Sequence, residues 1–364
     1  MTLTKGFKIN IQKAEKSAID QVDFDNIMFG KNFTDHMLVC DYKDGAWQTP
    51  EITPLVNFSM HPGTAALHYG QSIFEGLKAH RNESGQVSIF RMKDNFNRMN
   101  LSAERMAMPA IPEELFMEGI KKIIEIDQKW VPEGKAKSLY IRPFLFSTDA
   151  YIKVKVADNY RFVVILSPAG PYFSEAVKIW VETKYSRSSE GGTGYAKAAG
   201  NYGGSLYPAQ IAQTKGYEQV LWLDASEHKY IEEMGAANIF FVKNGKVITP
   251  QLGPSKLAGI TRDSIIVILK DWDVEVEERM ITIDELKEGI LDGSITEAFA
   301  TGTAVTLGPV AAFGLEKEDL NLPDYTTWKI APKIKDFLLE YKSGNVEDKF
   351  GWNTIIPAEI PLNN

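Results

Sequence analysis

A glycine-rich stretch around a single lysine is the part of the sequence whose residue types most directly suggest chemistry. It runs from Ser186 to Ser205 and contains six glycines besides Lys197. Small residues let a bulky planar ligand approach the backbone, and they cost conformational entropy that a simple linker would not need. A lysine in an apolar, glycine-lined setting has a lowered pKa and can form Schiff bases. Taken alone, the stretch is equally compatible with a flexible loop that carries a solvated lysine.

Other kinds of catalytic site lack their signatures in this chain. The dinucleotide-binding fingerprint would need glycine or alanine where Lys197 stands, and no Gly-Lys pair is followed by serine or threonine, so there is no P-loop. The absence of a Gly-x-Ser-x-Gly elbow argues against a serine hydrolase. The five histidines have neither the H-x-x-x-H spacing nor paired carboxylates. We therefore expect no metal site.

The bulk composition limits the partners and the compartment of the protein. Its 364 residues, 44% of them hydrophobic, are enough for two domains with real cores. A net charge of −8 argues against a nucleic-acid partner, because phosphate backbones demand a basic surface. The single cysteine, Cys40, fits a reducing compartment. Met1 to Asp20 lacks the apolar core of a signal peptide, and no apolar run is long enough to span a bilayer. We expect a cytoplasmic protein with no membrane or nucleic-acid partner.

Patterns along the chain predict a mixed arrangement of helices and strands. Apolar periodicity predicts helices over Glu113–Trp130 and Thr326–Tyr341. The turn Lys243-Asn244-Gly245-Lys246 predicts a type I′ hairpin between Asn238–Val242 and Val247–Thr249. Strands and helices alternate irregularly, which favours a mixed α/β or α+β fold over a regular doubly wound sheet. Further strands are predicted at Ser138–Phe146, Arg161–Ser167, Val177–Thr183, Glu218–Asp224, Asp273–Glu278 and Glu297–Thr301.

The best candidate for a domain boundary is the segment Pro168-Ala169-Gly170-Pro171, which a short polar stretch follows. It predicts an N-terminal domain over residues 1–170, a linker over 171–183 and a C-terminal domain over 184–364. Ligand sites are often built between two such halves, so we expect the active site there.

Several segments, taken together and in order, carry a resemblance to a known family. Around the lysine they are Lys197–Gly203, Gln219–Asp224 and Glu232–Phe240. The others are Phe29–Met37, Leu67–Lys78, Tyr140–Pro143, Ala258–Arg262 and Ala300–Ala304. These segments resemble the branched-chain aminotransferases, which are pyridoxal-phosphate enzymes of fold type IV. The resemblance extends from about residue 24 to 312, which is most of the chain.

This resemblance implies pyridoxal 5′-phosphate as the cofactor and a role for each matching residue. Lys197 is implied to bond to the cofactor and later to move a proton between the substrate Cα and the cofactor. Glu233 is implied to pair with the pyridine nitrogen, although Glu232 beside it could serve as well. Tyr202 is implied to hydrogen-bond the phenolic oxygen of the cofactor.

The phosphate of the cofactor needs cations and backbone N–H donors. Gly259 is followed by a helix expected to begin near Asp263, and such a turn suits an anion. Matching family positions add an arginine and a threonine hydroxyl, and Arg187 is a further candidate. The implied phosphate-binding residues are Arg98, Gly259, Ile260, Thr261 and Thr303.

The resemblance also implies one substrate pocket that accepts both branched apolar side chains and glutamate. An aromatic pocket meets the first need, and Arg142 would receive the distal carboxylate of glutamate through its planar fork. The backbone N–H groups of Ala304 and Val305 would receive the α-carboxylate. The aromatic positions that match are Phe29, Tyr69, Phe74, Tyr140 and Tyr172. Without the resemblance, scattered tyrosines are more often core residues.

The implied activity is ping-pong transamination between L-leucine, L-isoleucine or L-valine and 2-oxoglutarate. Fold type IV implies a smaller N-terminal and a larger C-terminal domain with the cofactor between them. It also implies a homodimer whose contact closes the substrate pocket. Val305 and Gly308 stand near the position where some family members carry a redox pair of cysteines, so we expect no thiol regulation there.

Two kinds of alternative remain at this stage. A D-amino-acid aminotransferase or an aminodeoxychorismate lyase would share the fold, but those enzymes lack the Phe29–Met37 and Tyr140–Pro143 signatures. A non-enzymatic protein that binds pyridoxal phosphate would keep the phosphate groups and show no turnover.

Overall fold

The computed structural model describes residues 7–171, 175–316 and 318–356. These residues form two compact units. The first contains residues 7–171 and 339–356, and the second contains the described residues from 175 to 338. The division into domains at 1–170, 171–183 and 184–364 stays a prediction.

The secondary structure is mixed throughout both units. The strands are β1 (Asn10–Ile11), β2 (His36–Lys43), β3 (Ala46–Trp47), β4 (Glu51–Pro54), β5 (Ser72–Phe74), β6 (Leu77–Arg81), β7 (Val87–Phe90), β8 (Ser138–Ser147), β9 (Tyr160–Ala169), β10 (Val177–Glu182), β11 (Gln219–Leu223), β12 (Ile231–Met234), β13 (Asn238–Lys243), β14 (Lys246–Pro250), β15 (Val276–Arg279), β16 (Ile295–Gly302), β17 (Thr306–Leu315), β18 (Glu318–Asn321) and β19 (Asn353–Ile356). The helices are α1 (Ala65–Tyr69), α2 (Met92–Arg105), α3 (Glu113–Ile126), α4 (Gly200–Gly203), α5 (Leu206–Thr214), α6 (Ile260–Asp271), α7 (Ile283–Leu291) and α8 (Ile330–Ser343).

The first unit is built on a ten-stranded sheet with the order β1-β4-β2-β9-β8-β6-β7-β19, in which β3 pairs with β2 and β5 with β8. Successive side chains of a strand point to opposite faces. On β8, Leu139, Ile141 and Leu145 therefore share one face and belong to the hydrophobic core that also contains the apolar face of α3. Tyr140 and Arg142 share the other face. The sheet thus gives these two polar side chains a common direction, away from that core.

The second unit is built on a nine-stranded sheet with the order β12-β11-β10-β17-β16-β13-β14-β15, in which β18 pairs with β17. Strand β10 runs parallel to both β11 and β17, whereas β13 is antiparallel to β14 and β16. The rings of Phe240 and Phe299 stack at 5.3 Å between these antiparallel strands. The start of β13 and the turn after β16 lie at the same end of the sheet, because Asn238 is paired with Thr301.

The prediction of a mixed α/β fold is confirmed, and so is the hairpin. Lys243 pairs with Lys246, and Asn244 and Gly245 both have positive φ, at 52° and 80°, as a type I′ turn requires. The predicted helix over Glu113–Trp130 ends earlier, since a 3-10 turn takes over at Gln128–Trp130.

The prediction of an α-helix that begins at Thr326 is wrong. Residues Tyr325–Thr327 form a 3-10 turn, and α8 begins at Ile330. The buried carboxylate of Glu297 accepts hydrogen bonds from the backbone N–H groups of Lys329, Ile330 and Ala331, at 2.7–3.0 Å. A carboxylate satisfies the free N–H groups of a helix start. This long-range cap fixes where α8 begins.

Candidate active site

The lysine singled out from the sequence lies on a turn that the side chain of Asn201 holds in place. Asn201 Nδ2 donates to the carbonyl oxygens of Thr193 at 2.8 Å and Ala196 at 2.9 Å. Its Oδ1 accepts a hydrogen bond from the hydroxyl of Thr193 at 2.5 Å. Ala196 and Ala198 are fully buried on either side of Lys197. The backbone that carries Lys197 is therefore fixed, and the interpretation as a flexible loop is wrong.

The side chain of Lys197 reaches the phenol of Tyr202. Lys197 Nζ donates to the hydroxyl oxygen of Tyr202 at 3.2 Å and lies 5.7 Å from the centre of its ring. Both side chains are half-buried. An amine and a phenol are thus presented together at a partly accessible place.

Glu233 is a buried carboxylate on β12. Its Oε1 accepts hydrogen bonds from Asn238 Nδ2 and from the backbone N–H of Leu257, both at 3.3 Å. Its Oε2 lies 2.7 Å from Arg187 Nη1 but accepts no well-directed hydrogen bond from the described residues. Burial raises the pKa of Glu233 above its ordinary value, while the charges of Arg187 and Lys197 act in the opposite direction. A buried carboxylate oxygen therefore remains that could accept a further donor.

The neighbouring Glu232 has different partners. It accepts a hydrogen bond from the hydroxyl of Ser255 and lies 3.1 Å from Lys256 Nζ. Adjacent residues of a strand point to opposite faces, which explains the separation. Because the charge of Lys197 influences Glu233, we take Glu233 and not Glu232 as the carboxylate that acts with the lysine.

The segment that contacts both glutamates leads directly into α6. This helix begins at Ile260, so Ile260 and Thr261 lie in its first turn, and the expected start near Asp263 is three residues late. The N-cap residue Gly259 has no side chain to satisfy the first N–H groups of the helix. A Cβ at Gly259 would lie 1.9 Å from Asn238 Oδ1, so glycine is required there. The helix start is therefore a suitable anion site.

Thr303, Ala304 and Val305 form the turn between β16 and β17. The pairing of Thr301 with Asn238 places this turn at the end of the sheet where β13 begins. The hydroxyl of Thr301 is buried there without a hydrogen-bond partner among the described residues. Polar groups of the turn and of β13 thus meet at one sheet end.

In the first unit, four predicted pocket residues form one cluster. Arg142 Nη2 donates to the hydroxyl of Tyr140 at 3.0 Å, and the guanidinium lies 4.6 Å from the ring centre of Phe74. The rings of Phe29 and Tyr140 meet edge to face at 4.9 Å. Arg142 Nε is buried without a hydrogen-bond partner among the described residues. This cluster combines apolar rings with a cationic donor that is not fully satisfied.

Three consecutive residues of this unit have separate tasks. Phe74 packs on Arg142, and a Cβ at Gly76 would lie 2.1 Å from the hydroxyl of Tyr140. Between them, the buried carboxylate of Glu75 pairs with Arg98 through Nε at 2.7 Å and Nη2 at 2.8 Å. Arg98 is a buried residue of α2 held by this pair. Its proposed contact with a phosphate stays a prediction.

Two of the predicted pocket residues are not in this cluster. Tyr69 ends α1 and is 38% exposed, with its ring 6.0 Å from that of His68. Tyr172 lies outside the described residues.

The sequence reasoning missed three residues that shape the site: Asn201, Glu75 and Arg187 as the partner of Glu233. The first two lie inside segments that carried the resemblance, so their position was a usable signal. Arg187 was placed near a phosphate, and no local pattern points to its contact with a strand further along the chain. Within the described ranges, no group of three or more His, Cys, Asp or Glu side chains could hold a metal ion. None of the helices described there is both long and apolar enough to cross a membrane.

The structure predicts that Asn201→Ala destabilises the turn that carries Lys197. The change leaves the carbonyls of Thr193 and Ala196 without their donor, which costs about 1–3 kcal/mol. Urea unfolding of the apoprotein measures this loss. Asn321→Ala, which removes one exposed hydrogen bond at 3.3 Å, is the matched control and should change the stability by less than about 0.5 kcal/mol. Equal effects of the two variants would refute the role of Asn201.

Comparison with known proteins places this arrangement among amino-group transferases. The family model for amino-transferase class IV matches residues 72–313. Branched-chain-amino-acid aminotransferase 2 of Bacillus subtilis is 45% identical over 340 residues, which cover 92% of this chain and 94% of that protein. The crystal structure of a branched-chain aminotransferase from Thermoproteus uzoniensis with norvaline has a TM-score of 0.72 at 26% identity, covering 88% of this chain and all of that one. A branched-chain amino acid aminotransferase from T.th., solved with pyridoxamine 5′-phosphate, has a TM-score of 0.68 at 27% identity, covering 87% of this chain and 98% of that one.

Proposed function

Since the chain belongs to the class IV aminotransferases and, among them, to the branched-chain-amino-acid aminotransferases, we propose that it exchanges the amino group between L-leucine, L-isoleucine or L-valine and 2-oxoglutarate. The observation that carries the proposal is the arrangement of Lys197, Tyr202 and Glu233. The amine contacts the phenol, and its charge influences the buried carboxylate. A D-amino-acid aminotransferase or an aminodeoxychorismate lyase is not favoured by the relatives.

The described groups fit pyridoxal 5′-phosphate as the cofactor. Lys197 offers an amine for its aldehyde, and Tyr202 offers a phenol for its ring oxygen. The oxygen Oε2 of Glu233, which accepts no well-directed hydrogen bond, suits the N–H of a protonated pyridine. The start of α6, with Gly259, Ile260 and Thr261, suits the phosphate. We also assign Thr303 and Arg98 to the phosphate.

The cofactor, when bound, supplies an aldehyde that accepts the amino group and a ring that takes up the electron pair left on the substrate Cα. Lys197 gives up its bond to the cofactor when the substrate amine arrives, and its free amine then removes the proton from the substrate Cα and returns it to the carbon of the former aldehyde. Glu233 keeps the ring nitrogen protonated with its negative charge. Tyr202 holds the ring oxygen and orients Lys197. The same residues run the second half-reaction in reverse, with 2-oxoglutarate as the acceptor and glutamate as the product.

The aromatic cluster of the first unit is proposed to hold the substrate side chain. Phe29, Phe74, Tyr140 and Tyr69 provide apolar surface for a branched chain, and Tyr172 is assigned to the same pocket. Ala304 and Val305 are proposed to bind the α-carboxylate through their backbone N–H groups, a contact that is indifferent to the side chain.

We expect Arg142→Met to impair the half-reaction with glutamate far more than that with leucine. Arg142 Nε is buried without a partner among the described residues, and a charged hydrogen bond to a carboxylate is worth about 1.5–3 kcal/mol, or roughly 10- to 150-fold. Single-turnover rates with each amino acid measure the two effects. Arg161→Met, which removes an arginine paired with Asp41 in the same unit, is the control. A loss of the same size for leucine would contradict the assignment.

The function itself is tested by the visible absorption spectrum of the purified protein with bound cofactor. L-leucine should bleach the band of the bound aldehyde form, and 2-oxoglutarate should restore it, which shows both half-reactions. A band that responds to D-alanine and ignores L-leucine would overturn the substrate assignment. Failure to bind the cofactor would overturn the proposal as a whole.

We further propose a homodimer in the cytoplasm. The one cysteine, Cys40, is buried, and burial raises its pKa to about 12, which suits a thiol that is neither paired nor reactive. Sedimentation equilibrium measures the oligomeric state, and a monomer at micromolar concentration would contradict the dimer.

A further inference from the structure

The side chain of Arg187 is buried against the carboxylate of Glu233. Arg187 lies on the segment that follows β10, and its side chain is 5% exposed while that of Glu233 is 4% exposed. Its Nη1 lies 2.7 Å from Glu233 Oε2 and donates to the carbonyl oxygen of Ser255 at 3.3 Å. The guanidinium is thus held between the glutamate and the backbone of the segment that leads into α6.

The charges around Glu233 come from several elements. Glu232 on the same strand raises its pKa, and so does burial, which is the largest effect. Arg187, the backbone N–H of Leu257 and Lys197 lower it. An arginine stays charged at every accessible pH, whereas the proposed role of Lys197 requires a neutral amine for part of each cycle. Arg187 is therefore the permanent positive charge beside Glu233.

We propose that Arg187 is a positioning residue that keeps Glu233 ionised, so that the ring nitrogen of pyridoxal 5′-phosphate stays protonated, and that it is not a ligand of the phosphate. The inference rests on the proposed function, because it assigns a partner to the carboxylate of the same site. An ionised Glu233 accepts a hydrogen bond from a protonated ring nitrogen. A protonated Glu233 would instead donate its own proton to a neutral ring nitrogen, and the ring would withdraw electrons less strongly.

The first test uses the apoprotein and therefore needs no cofactor. A carboxyl group whose pKa is raised on folding lowers stability as pH increases through that pKa, because the folded state holds the proton longer than the unfolded state. In Arg187→Met we expect the folding equilibrium constant to fall at least about tenfold more than in the wild type between pH 5 and pH 8, the effect of one pKa unit. Adding Glu233→Gln should remove this extra loss. Arg279→Met, which breaks an ion pair with Glu285 in the same unit, is the control and should show none.

The second test compares two ligands that cannot bond covalently to Lys197. These are 4-deoxypyridoxine 5′-phosphate and 4-deoxypyridoxine, which share the ring nitrogen and differ in the phosphate. By titration calorimetry at pH 8 we expect Arg187→Met to weaken both by the same factor, at least about tenfold for one pKa unit at Glu233. Arg187→Lys keeps the positive charge and should restore most of the affinity for both. If Arg187→Met does not fold, Arg187→Gln replaces it in both tests.

The outcomes separate this inference from the proposed function. A loss confined to the phosphate-bearing ligand would make Arg187 a phosphate ligand and overturn the inference. Wild-type pH dependence in the apoprotein of Arg187→Met would overturn it as well. If the wild-type protein bound neither ligand, the proposed function would fail, and the apoprotein titration would still decide whether Arg187 keeps Glu233 ionised.

Discussion

Replacement of Lys197 by alanine is expected to abolish covalent attachment of the cofactor and to lower kcat by at least about 10⁴-fold. A positioned acid–base group alone contributes about 10²- to 10⁴-fold, and Lys197 is also the group proposed to bond to the aldehyde. Tyr202, which contacts the amine at 3.2 Å, offers no second amine to replace it. Small amines such as methylamine should restore part of the rate, because they fit the space that the side chain leaves. Steady-state kinetics with leucine, and mass spectrometry after borohydride reduction, measure the two losses.

The control for this experiment is Lys184→Ala. Lys184 is an exposed lysine of the same unit whose ammonium lies 5.2 Å from the ring centre of Tyr185. Its removal should leave both activity and the reduced adduct unchanged. A Lys197→Ala protein that keeps more than about one hundredth of the wild-type kcat would contradict the role of Lys197 as the acid–base group.

Local features of the fold could be predicted because the residues that decide them are close in sequence. The turn at Asn244-Gly245 needs two residues that tolerate positive φ, and the sequence supplies both. Strand β8 alternates apolar and polar side chains, so its core face was predictable from Leu139, Ile141 and Leu145. The start of α8 was not predictable, because its cap is the carboxylate of Glu297 on a distant strand.

The candidate site divides in the same way. Lys197 and Tyr202 are five residues apart, and their contact follows from one glycine-rich turn. The pairing of Arg98 with Glu75 and of Arg187 with Glu233 depends on how separate elements pack, which no spacing encodes. The resemblance supplied the residue types and their order, but the choice between Glu232 and Glu233 needed the opposite directions of adjacent side chains on β12.

Glu233→Gln is expected to lower kcat for leucine by about 10²- to 10³-fold, the usual loss when one group that stabilises transition-state charge is removed from a dry site. Glutamine has nearly the same shape and can still meet Asn238 and the N–H of Leu257, but it carries no negative charge to hold a proton on the ring nitrogen. The loss should therefore appear in kcat, while KM changes much less. The absorption band of the bound cofactor should also change, because the ring nitrogen loses its proton.

Glu232→Gln is the matched comparison, since the same change is made one residue away. Glu232 pairs with Ser255 and Lys256, so its replacement should lower the unfolding free energy and leave the absorption band in place. If the band and kcat responded to Glu232→Gln and not to Glu233→Gln, the two carboxylates would have to exchange roles. Arg187 would then neutralise a glutamate that has no part in the reaction, and the charge arrangement derived for the site would fail with it.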